Sequence, residues 1–169
     1  MRVIASRQNP LVRSVRALRN NKVRRSKHQF LVEGVRLLEE AASSGCTIDT
    51  VLYCSETTNN HRDQALLQEL DHKGVPVVAT TPAVLASVAE TDSPAGLVAV
   101  VRFPPLPAIG PIIETTDLIV LGDMIQDPGN AGTIIRTAEA AGAGGVFFTI
   151  GSVYPYSDKV IRASMGSLF

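Results

Sequence analysis

The chain has 169 residues, of which 45% are hydrophobic and 19% are charged, and its formal net charge is zero. This composition is typical of a folded protein rather than a disordered one, and the length suits one ordinary domain or two small ones. No stretch approaches the roughly 18 consecutive apolar residues of a membrane helix, and the arginine-rich start lacks the apolar run of a secretory signal. We therefore expect a cytoplasmic protein.

Two cysteines, Cys46 and Cys54, occur without a CxxC pair or a histidine at metal-ligand spacing. This arrangement predicts neither a disulfide framework nor a zinc site, and no metal is expected. We expect both thiols to be reduced and half-buried.

The zero net charge conceals an asymmetry along the chain. Residues 1–36 hold ten Lys or Arg and one acid, Glu33, whereas the other 133 residues hold six Lys or Arg and fifteen acids. A basic head on an acidic body indicates that the head contacts a polyanion, and nucleic acid is the favoured partner. The alternative is a solvated basic helix that has no partner.

The basic head begins with a helix signal, because Asn9 can cap a helix and Pro10 suits the first helical position. Apolar residues occupy one face of this helix and arginines the other: Leu11, Val12, Val15 and Leu18 against Arg13, Arg16 and Arg19. Asn20 and Asn21 end it. The basic, aperiodic residues 22–28 are predicted to form a loop.

Residues 30–101 alternate between strand and helix patterns. Strands are predicted at 30–32, 50–54, 75–79 and 97–101, and helices at 34–44, 62–72 and 81–89. This order predicts a small α/β sandwich, so residues 1–101 are interpreted as a first domain. Prolines then crowd residues 102–116, which predicts a semi-rigid linker at a domain boundary.

The second segment, residues 117–169, opens with a strand at 118–122 that is apolar on both faces, as in the centre of a parallel sheet. A polar loop at 123–130, a helix at 131–141 and a strand at 146–150 follow, and Ser157 can cap a last helix. A sheet of only two strands cannot bury its own apolar surface, so we expect this α/β domain to be incomplete.

Residues 127–138 form the pattern most suggestive of chemistry. A buried strand leads into a tight turn, Asn130 stands at the predicted helix start, and Arg136 follows within the helix. Free N–H groups at a helix start and a planar guanidinium both favour phosphate. The alternative is that Asn130 only caps the helix and Arg136 only pairs with Glu139. The glycines at 142–145 follow a helix, which indicates a helix end rather than a dinucleotide site.

Residues 121–142 resemble the first conserved motif of the SpoU (TrmH-like) family of RNA methyltransferases, part of the SPOUT superfamily. Residues 159–166 are similar to the segment that follows in the family, and residues 6–12, 30–34 and 91–99 are similar to its substrate-binding domain. The resemblance implies a small RNA-binding α/β domain joined to an α/β-knot domain. It also implies transfer of a methyl group from S-adenosylmethionine to a ribose 2′-hydroxyl of rRNA or tRNA, by a homodimer.

By the same resemblance, Asn130 and Arg136 match the active-site residues of the first motif. Because a guanidinium stays protonated in proteins, Arg136 is expected to orient phosphate and hydroxyl rather than to act as a base. Six cations are the expected RNA contacts: Arg7, Lys22, Arg24, Arg25, Lys27 and Arg162.

Family members continue for further strands and helices that hold the cofactor. We therefore expect the chain to be truncated, with its cofactor-binding residues beyond Phe169 and no activity on its own. The alternative function is a non-catalytic RNA-binding module.

Overall fold

The computed structural model describes residues 3–58, 60–91, 95–104 and 109–169. The chain folds into two compact units that meet after Phe103 in the sequence, here called the N-terminal and the C-terminal unit. Both units combine helices with strands, which confirms the predicted α/β class. Within the described ranges, no helix is long and apolar enough to cross a membrane.

The N-terminal unit is built on a four-stranded sheet in the order β1-β4-β2-β3. Its strands are β1 (Gln29–Glu33), β2 (Ile48–Tyr53), β3 (Val77–Ala79) and β4 (Leu97–Arg102). Strand β4 is antiparallel to both of its neighbours, whereas β2 and β3 are parallel. The five helices of this unit are α1 (Pro10–Ala17), α2 (Asn21–Lys27), α3 (Val35–Ser43), α4 (His61–His72) and α5 (Pro82–Val88).

Both faces of this sheet are buried, as the alternation of side chains along its strands requires. One face packs with α1 and α5 around a core that includes Leu31, Leu52, Val98 and Val100. The intervening residues, Phe30, Val32, Val51 and Ala99, are also buried and face the side of α3 and α4. The predicted strands and helices over residues 30–101 are confirmed, with ends that shift by a few residues.

The predicted loop at residues 22–28 is wrong, because residues Asn21–Lys27 form helix α2. The Asn20 side chain accepts a hydrogen bond of 2.8 Å from the Lys22 N–H and so caps this helix. Its inward face consists of Val23, packed against the core, and Arg24, which is 1% exposed. An arginine on the inward face hides the apolar periodicity by which a helix is normally identified.

Arg24 is held by partners inside the N-terminal unit. Its Nε donates to the Leu18 carbonyl and its guanidinium pairs with the Glu90 carboxylate, whose side chain is 11% exposed. The Glu33 carboxylate accepts hydrogen bonds from the Glu90 N–H at 3.0 Å and from the Thr91 N–H at 3.3 Å. The prediction that Arg24 contacts RNA is therefore wrong, because its charge is enclosed and already paired.

Replacing Arg24 by alanine is expected to lower the free energy of unfolding by about 3–5 kcal/mol, because a nearly buried carboxylate would lose its guanidinium partner. Urea unfolding followed by circular dichroism measures this change. Lys22→Ala, on the exposed side of α2, is the control and should change stability by less than about 0.5 kcal/mol. Equal effects of the two substitutions would contradict a structural role for Arg24.

The C-terminal unit contains α6 (Ile109–Thr115), β5 (Ile119–Gly122), α7 (Pro128–Ala140), β6 (Gly145–Phe148) and α8 (Asp158–Ser164). Strands β5 and β6 are parallel, which confirms the predicted β-α-β unit followed by a helix. The expected burial of β5 on both faces is not observed, since Leu121 is 69% exposed. In the described part of the chain only β6 pairs with β5, and this leaves much of the apolar surface of β5 uncovered.

The proline-rich segment differs from the predicted linker. Helix α6 occupies residues Ile109–Thr115, with Pro111 in its first turn, where the missing proline N–H costs no helical hydrogen bond. Pro105 and Pro107 lie outside the described residues. Similarly, residues 92–94 of the segment expected to close the first domain lie outside them.

Candidate functional site

The turn between β5 and α7 is shaped by Asp127. This residue caps α7, and its side chain accepts a 2.8 Å hydrogen bond from the Asn130 N–H, while Pro128 occupies the first turn of the helix. Helix α7 therefore begins three residues earlier than predicted, and Asn130 is an exposed residue of its first turn rather than its cap. The amide of Asn130 remains beside the N–H groups that a helix start leaves unpaired.

The loop after β5 is tied to the loop after β6 by side-chain hydrogen bonds. The Thr149 hydroxyl donates to Asp123 at 2.7 Å and accepts from the Met124 N–H at 3.0 Å. The Ile125 N–H donates to the Ser152 hydroxyl oxygen at 3.1 Å. These contacts fix the carboxyl ends of two parallel strands, which is the edge where α/β proteins bind ligands.

Arg136 is exposed on α7, and its Nη1 lies 3.5 Å from the sulfur of Met165. The alternative pairing with Glu139 does not form. Among the described residues, four other arginines do pair with carboxylates: Arg24, Arg62, Arg102 and Arg162. Because a thioether carries no charge, the guanidinium of Arg136 is positioned without being neutralised, and it remains available to an anion.

Asn130 and Arg136 lie on different sides of α7. A spacing of six residues places them about 9 Å apart along the helix axis and about 120° apart around it. A ligand that touches both must therefore be extended, as a nucleotide with its phosphate is.

Helix α8 supplies the contact to Arg136 because it packs very closely against α7. A Cβ atom on Gly132 would lie 2.3 Å from the Cβ of Ala163, so only glycine allows this approach. Met165, just after α8, has the left-handed φ of 53°. Arg162 pairs with Asp158 at 3.2 Å with its side chain 37% exposed, so its charge is partly compensated.

Gly132→Ala is expected to destabilise the C-terminal unit by about 1–3 kcal/mol, because the added methyl group forces α7 and α8 apart. Hydrogen exchange of the α7 amides measures this local change. Gly110→Ala is the matched control, since a Cβ at Gly110 meets no atom within 4 Å. Unchanged exchange in Gly132→Ala would show that the close helix contact is unnecessary.

The remaining predicted RNA contacts lie in the N-terminal unit. Lys22, Arg25 and Lys27 are exposed on α2, and the Lys27 Nζ lies 2.8 Å from the Ser14 hydroxyl of α1. Arg7 is exposed, and its Nε donates to the Ala83 carbonyl at 3.1 Å. Two exposed arginines of the α1 region, Arg13 and Arg19, are not among the predicted contacts. Together these cations form a basic α1–α2 surface, defined by Arg13, Arg19, Lys22, Arg25 and Lys27.

The cysteines take no part in these surfaces. Cys54 is buried and Cys46 is half-buried, and burial raises the pKa of the Cys46 thiol, which keeps it protonated and unreactive near neutral pH. In the portions of the chain that the structure describes, no group of three or more His, Cys, Asp or Glu side chains could hold a metal ion.

Comparison with known families accounts for both units. Residues 9–99 match the MRM3-like substrate binding domain, and residues 117–169 match the SpoU rRNA Methylase family. The chain therefore belongs to the proteins that carry an MRM3-like substrate binding domain, and its C-terminal unit is similar to the SpoU rRNA Methylase family.

Two relatives show the extent of the similarity. An uncharacterized tRNA/rRNA methyltransferase of Synechocystis is 36% identical over 97% of this chain and 58% of its own length. The 23S rRNA (guanosine(2553)-2′-O)-methyltransferase of Bacillus subtilis is 31% identical over 100% of this chain and 63% of its own length. The chain thus spans about three fifths of each of these relatives.

Solved structures agree with this assignment. The AdoMet-bound rRNA methyltransferase from Sinorhizobium meliloti superposes with a TM-score of 0.81 at 29% identity, covering 99% of this chain and 61% of the other. The SpoU methyltransferase AviRb from Streptomyces viridochromogenes, in complex with AdoMet, gives 0.83 at 32% identity, covering 95% and 60%.

Proposed function

We propose that this chain carries the substrate-binding domain and the acceptor side of an S-adenosylmethionine-dependent RNA 2′-O-ribose methyltransferase. The observation that carries the proposal is the exposed guanidinium of Arg136, which has no carboxylate partner and lies in the segment that matches the SpoU family. The relatives named for 2′-O-methylation of rRNA make rRNA the favoured substrate over tRNA.

In this proposal Arg136 acts on the methyl acceptor, the ribose 2′-hydroxyl of the RNA. S-adenosylmethionine would supply the methyl group: its S–CH3 bond would break as the ribose 2′-oxygen forms the new O–C bond, S-adenosylhomocysteine would leave, and the hydroxyl proton would pass to solvent. A guanidinium cannot accept that proton, because it stays charged in proteins. The paired N–H donors of the planar guanidinium instead bind an RNA phosphate and hold it beside the 2′-hydroxyl. Asn130 and the first turn of α7 provide further hydrogen-bond donors, and we assign no described residue to the cofactor.

RNA docks on the basic α1–α2 surface, with Arg7 and Arg162 as further phosphate contacts. We place the reaction in the cytoplasm and infer a homodimer. The dimer is supported by the exposed apolar side chains of the C-terminal unit, which include Leu118, Ile119, Leu121 and Ile150. Exposed apolar groups of this kind mark surfaces that associate.

Replacing Lys22, Arg25 and Lys27 together by alanine is expected to weaken RNA binding and to reduce the slope of log affinity against log salt by about 2–3, since each phosphate contact contributes about 0.7–0.9. Filter binding of an rRNA fragment between about 50 and 200 mM KCl measures both effects. Arg62→Ala with Lys73→Ala is the control, because these exposed cations lie outside the basic surface, within and just after α4. An unchanged slope would remove α2 from the RNA interface.

Arg136→Ala is expected to slow methyl transfer by about 10²–10³-fold while leaving cofactor affinity nearly unchanged, because the side chain acts on the acceptor. The assay uses a chimera in which this chain replaces the matching residues of the Bacillus subtilis relative. Transfer of labelled methyl to rRNA gives the rate, and calorimetry gives the cofactor affinity.

Two further variants are compared with Arg136→Ala in the same assay. Arg136→Lys keeps the charge but loses the planar fork, so it should recover only part of the rate. Lys73→Ala, on the surface just after α4, should leave the rate unchanged. Near-normal turnover of Arg136→Ala would reject the assigned role. A chimera that binds RNA and cofactor but transfers no methyl group would favour the non-catalytic module.

A further inference from the structure

A cavity of about 260 Å³ lies in the N-terminal unit between α1 and one end of the sheet. Its volume is below the roughly 300–1,000 Å³ of sites for drug-sized ligands, and suits a single flat ring system. Apolar residues, Pro76 among them, form slightly more than half of its lining, and polar residues form the rest. The aliphatic members are Leu11, Val15, Leu18 and Val100, and the polar members are Ser14, Gln29, Asp49 and Thr50.

A β-bulge brings Asp49 to this cavity. Ile48 pairs with Val101 and Thr50 pairs with Val100, so Asp49 is an extra residue in β2 without a partner in β4. Bulges of this kind redirect a side chain, and they are common beside functional sites. The bulge thus places a carboxylate among the polar residues of the cavity wall.

The Asp49 carboxylate is oriented by two donors. Gln29 Nε2 donates to Oδ2 at 2.6 Å, and Arg102 Nε donates to Oδ1 at 2.8 Å. Because a carboxylate oxygen has two lone pairs, each oxygen retains one acceptor position. The Asp49 carboxylate, a lining group of the cavity, therefore has two adjacent acceptor positions beyond those used by Gln29 and Arg102.

Two cationic side chains, those of Lys27 and Arg102, lie beside the same cavity. Lys27 is bonded to Ser14, a lining residue, and Arg102 is bonded to Asp49, another lining residue. Lys27 also belongs to the basic α1–α2 surface. A partly apolar cavity with an acceptor pair on its wall and cations nearby has the charge pattern that suits a nucleotide, with its base enclosed and its phosphates outside.

We propose that this cavity binds one unstacked guanine base of the RNA, with Asp49 accepting hydrogen bonds from its Watson–Crick edge and Lys27 and Arg102 next to the flanking phosphates. Guanine is selected because its N1–H and N2–H groups are adjacent donors that match two adjacent acceptors. The other three bases place a donor next to an acceptor along this edge. The inference rests on the proposed RNA-binding function and adds to it a site that discriminates between bases.

The test uses the 169-residue chain and four probes, the 5′-monophosphates of guanosine, adenosine, cytidine and uridine. Amide shifts in nitrogen-15 NMR spectra are expected to saturate with guanosine monophosphate around Ser14, Gln29 and Thr50, and to be weaker with the other three. Asp49→Asn should weaken guanosine monophosphate binding by about tenfold or more, because its amide N–H group faces the donors of the base. Asp71→Asn, an exposed carboxylate of α4, is the matched control and should leave binding unchanged.

Ser14→Trp provides a second variant, since Ser14 is exposed on α1 and a large side chain there would close the cavity. Circular dichroism spectra that match those of the parent chain show that both variants fold. Loss of the shifts in Ser14→Trp supports the site. Equal binding of all four nucleotides, or undiminished guanosine monophosphate binding by Asp49→Asn, overturns it.

Salt-dependent binding of an rRNA fragment, measured on the same samples, separates this inference from the proposed function. A parent chain that binds RNA but shows no nucleotide shifts at the cavity overturns the base site and leaves the proposed function standing. A chain that shows the guanosine-selective shifts but binds no RNA supports the cavity as a nucleotide site and counts against the proposed function.

Discussion

The buried guanidinium of Arg24 fixes how the basic head of the protein presents its charge. Enclosing a cation is costly unless it is paired and hydrogen-bonded, so Arg24 must face Glu90 and the Leu18 carbonyl. With that side of α2 held against the core, the helical period turns Lys22 and Arg25 toward water. Glu33 holds the backbone at Glu90 and so supports the same arrangement from β1. One internal ion pair thus decides which cations of the head are exposed to solvent.

The C-terminal unit positions a cation by a different contact. The absence of a side chain at Gly132 lets α8 approach α7, and this approach brings Met165 to Arg136. A carboxylate in the place of Met165 would hold the guanidinium as firmly but would neutralise it. In both units, therefore, packing determines how an arginine is oriented. The difference between Arg24 and Arg136 lies in the partner, because only the former meets a carboxylate.

Sequence periodicity predicted the elements whose buried faces are aliphatic and could not predict those whose inward face is polar. Strand β4 is predictable because its apolar residues are consecutive, whereas α2 is not, because Arg24 occupies its inward face. The start of α7 has a local sequence signal, since proline favours the first helical position and so marks Asp127 as the cap. Local sequence rules cannot identify the residue that contacts Arg136. Glu139 is near in sequence, but Met165 reaches the guanidinium only through helix packing.

The bulge at Asp49 also cannot be predicted from the sequence pattern. One extra residue in a strand leaves the alternation of apolar and polar residues nearly intact. Its consequence is a carboxylate close to a surface otherwise suited to phosphate. Such a charge opposes a polyanion, and Arg102 offsets that repulsion while leaving acceptor positions open. Cations bind phosphates of every sequence alike, so selectivity between bases needs a group that reads base edges. If RNA binds as proposed, Asp49 would select the base at some cost in affinity, while the cations would set the strength of binding.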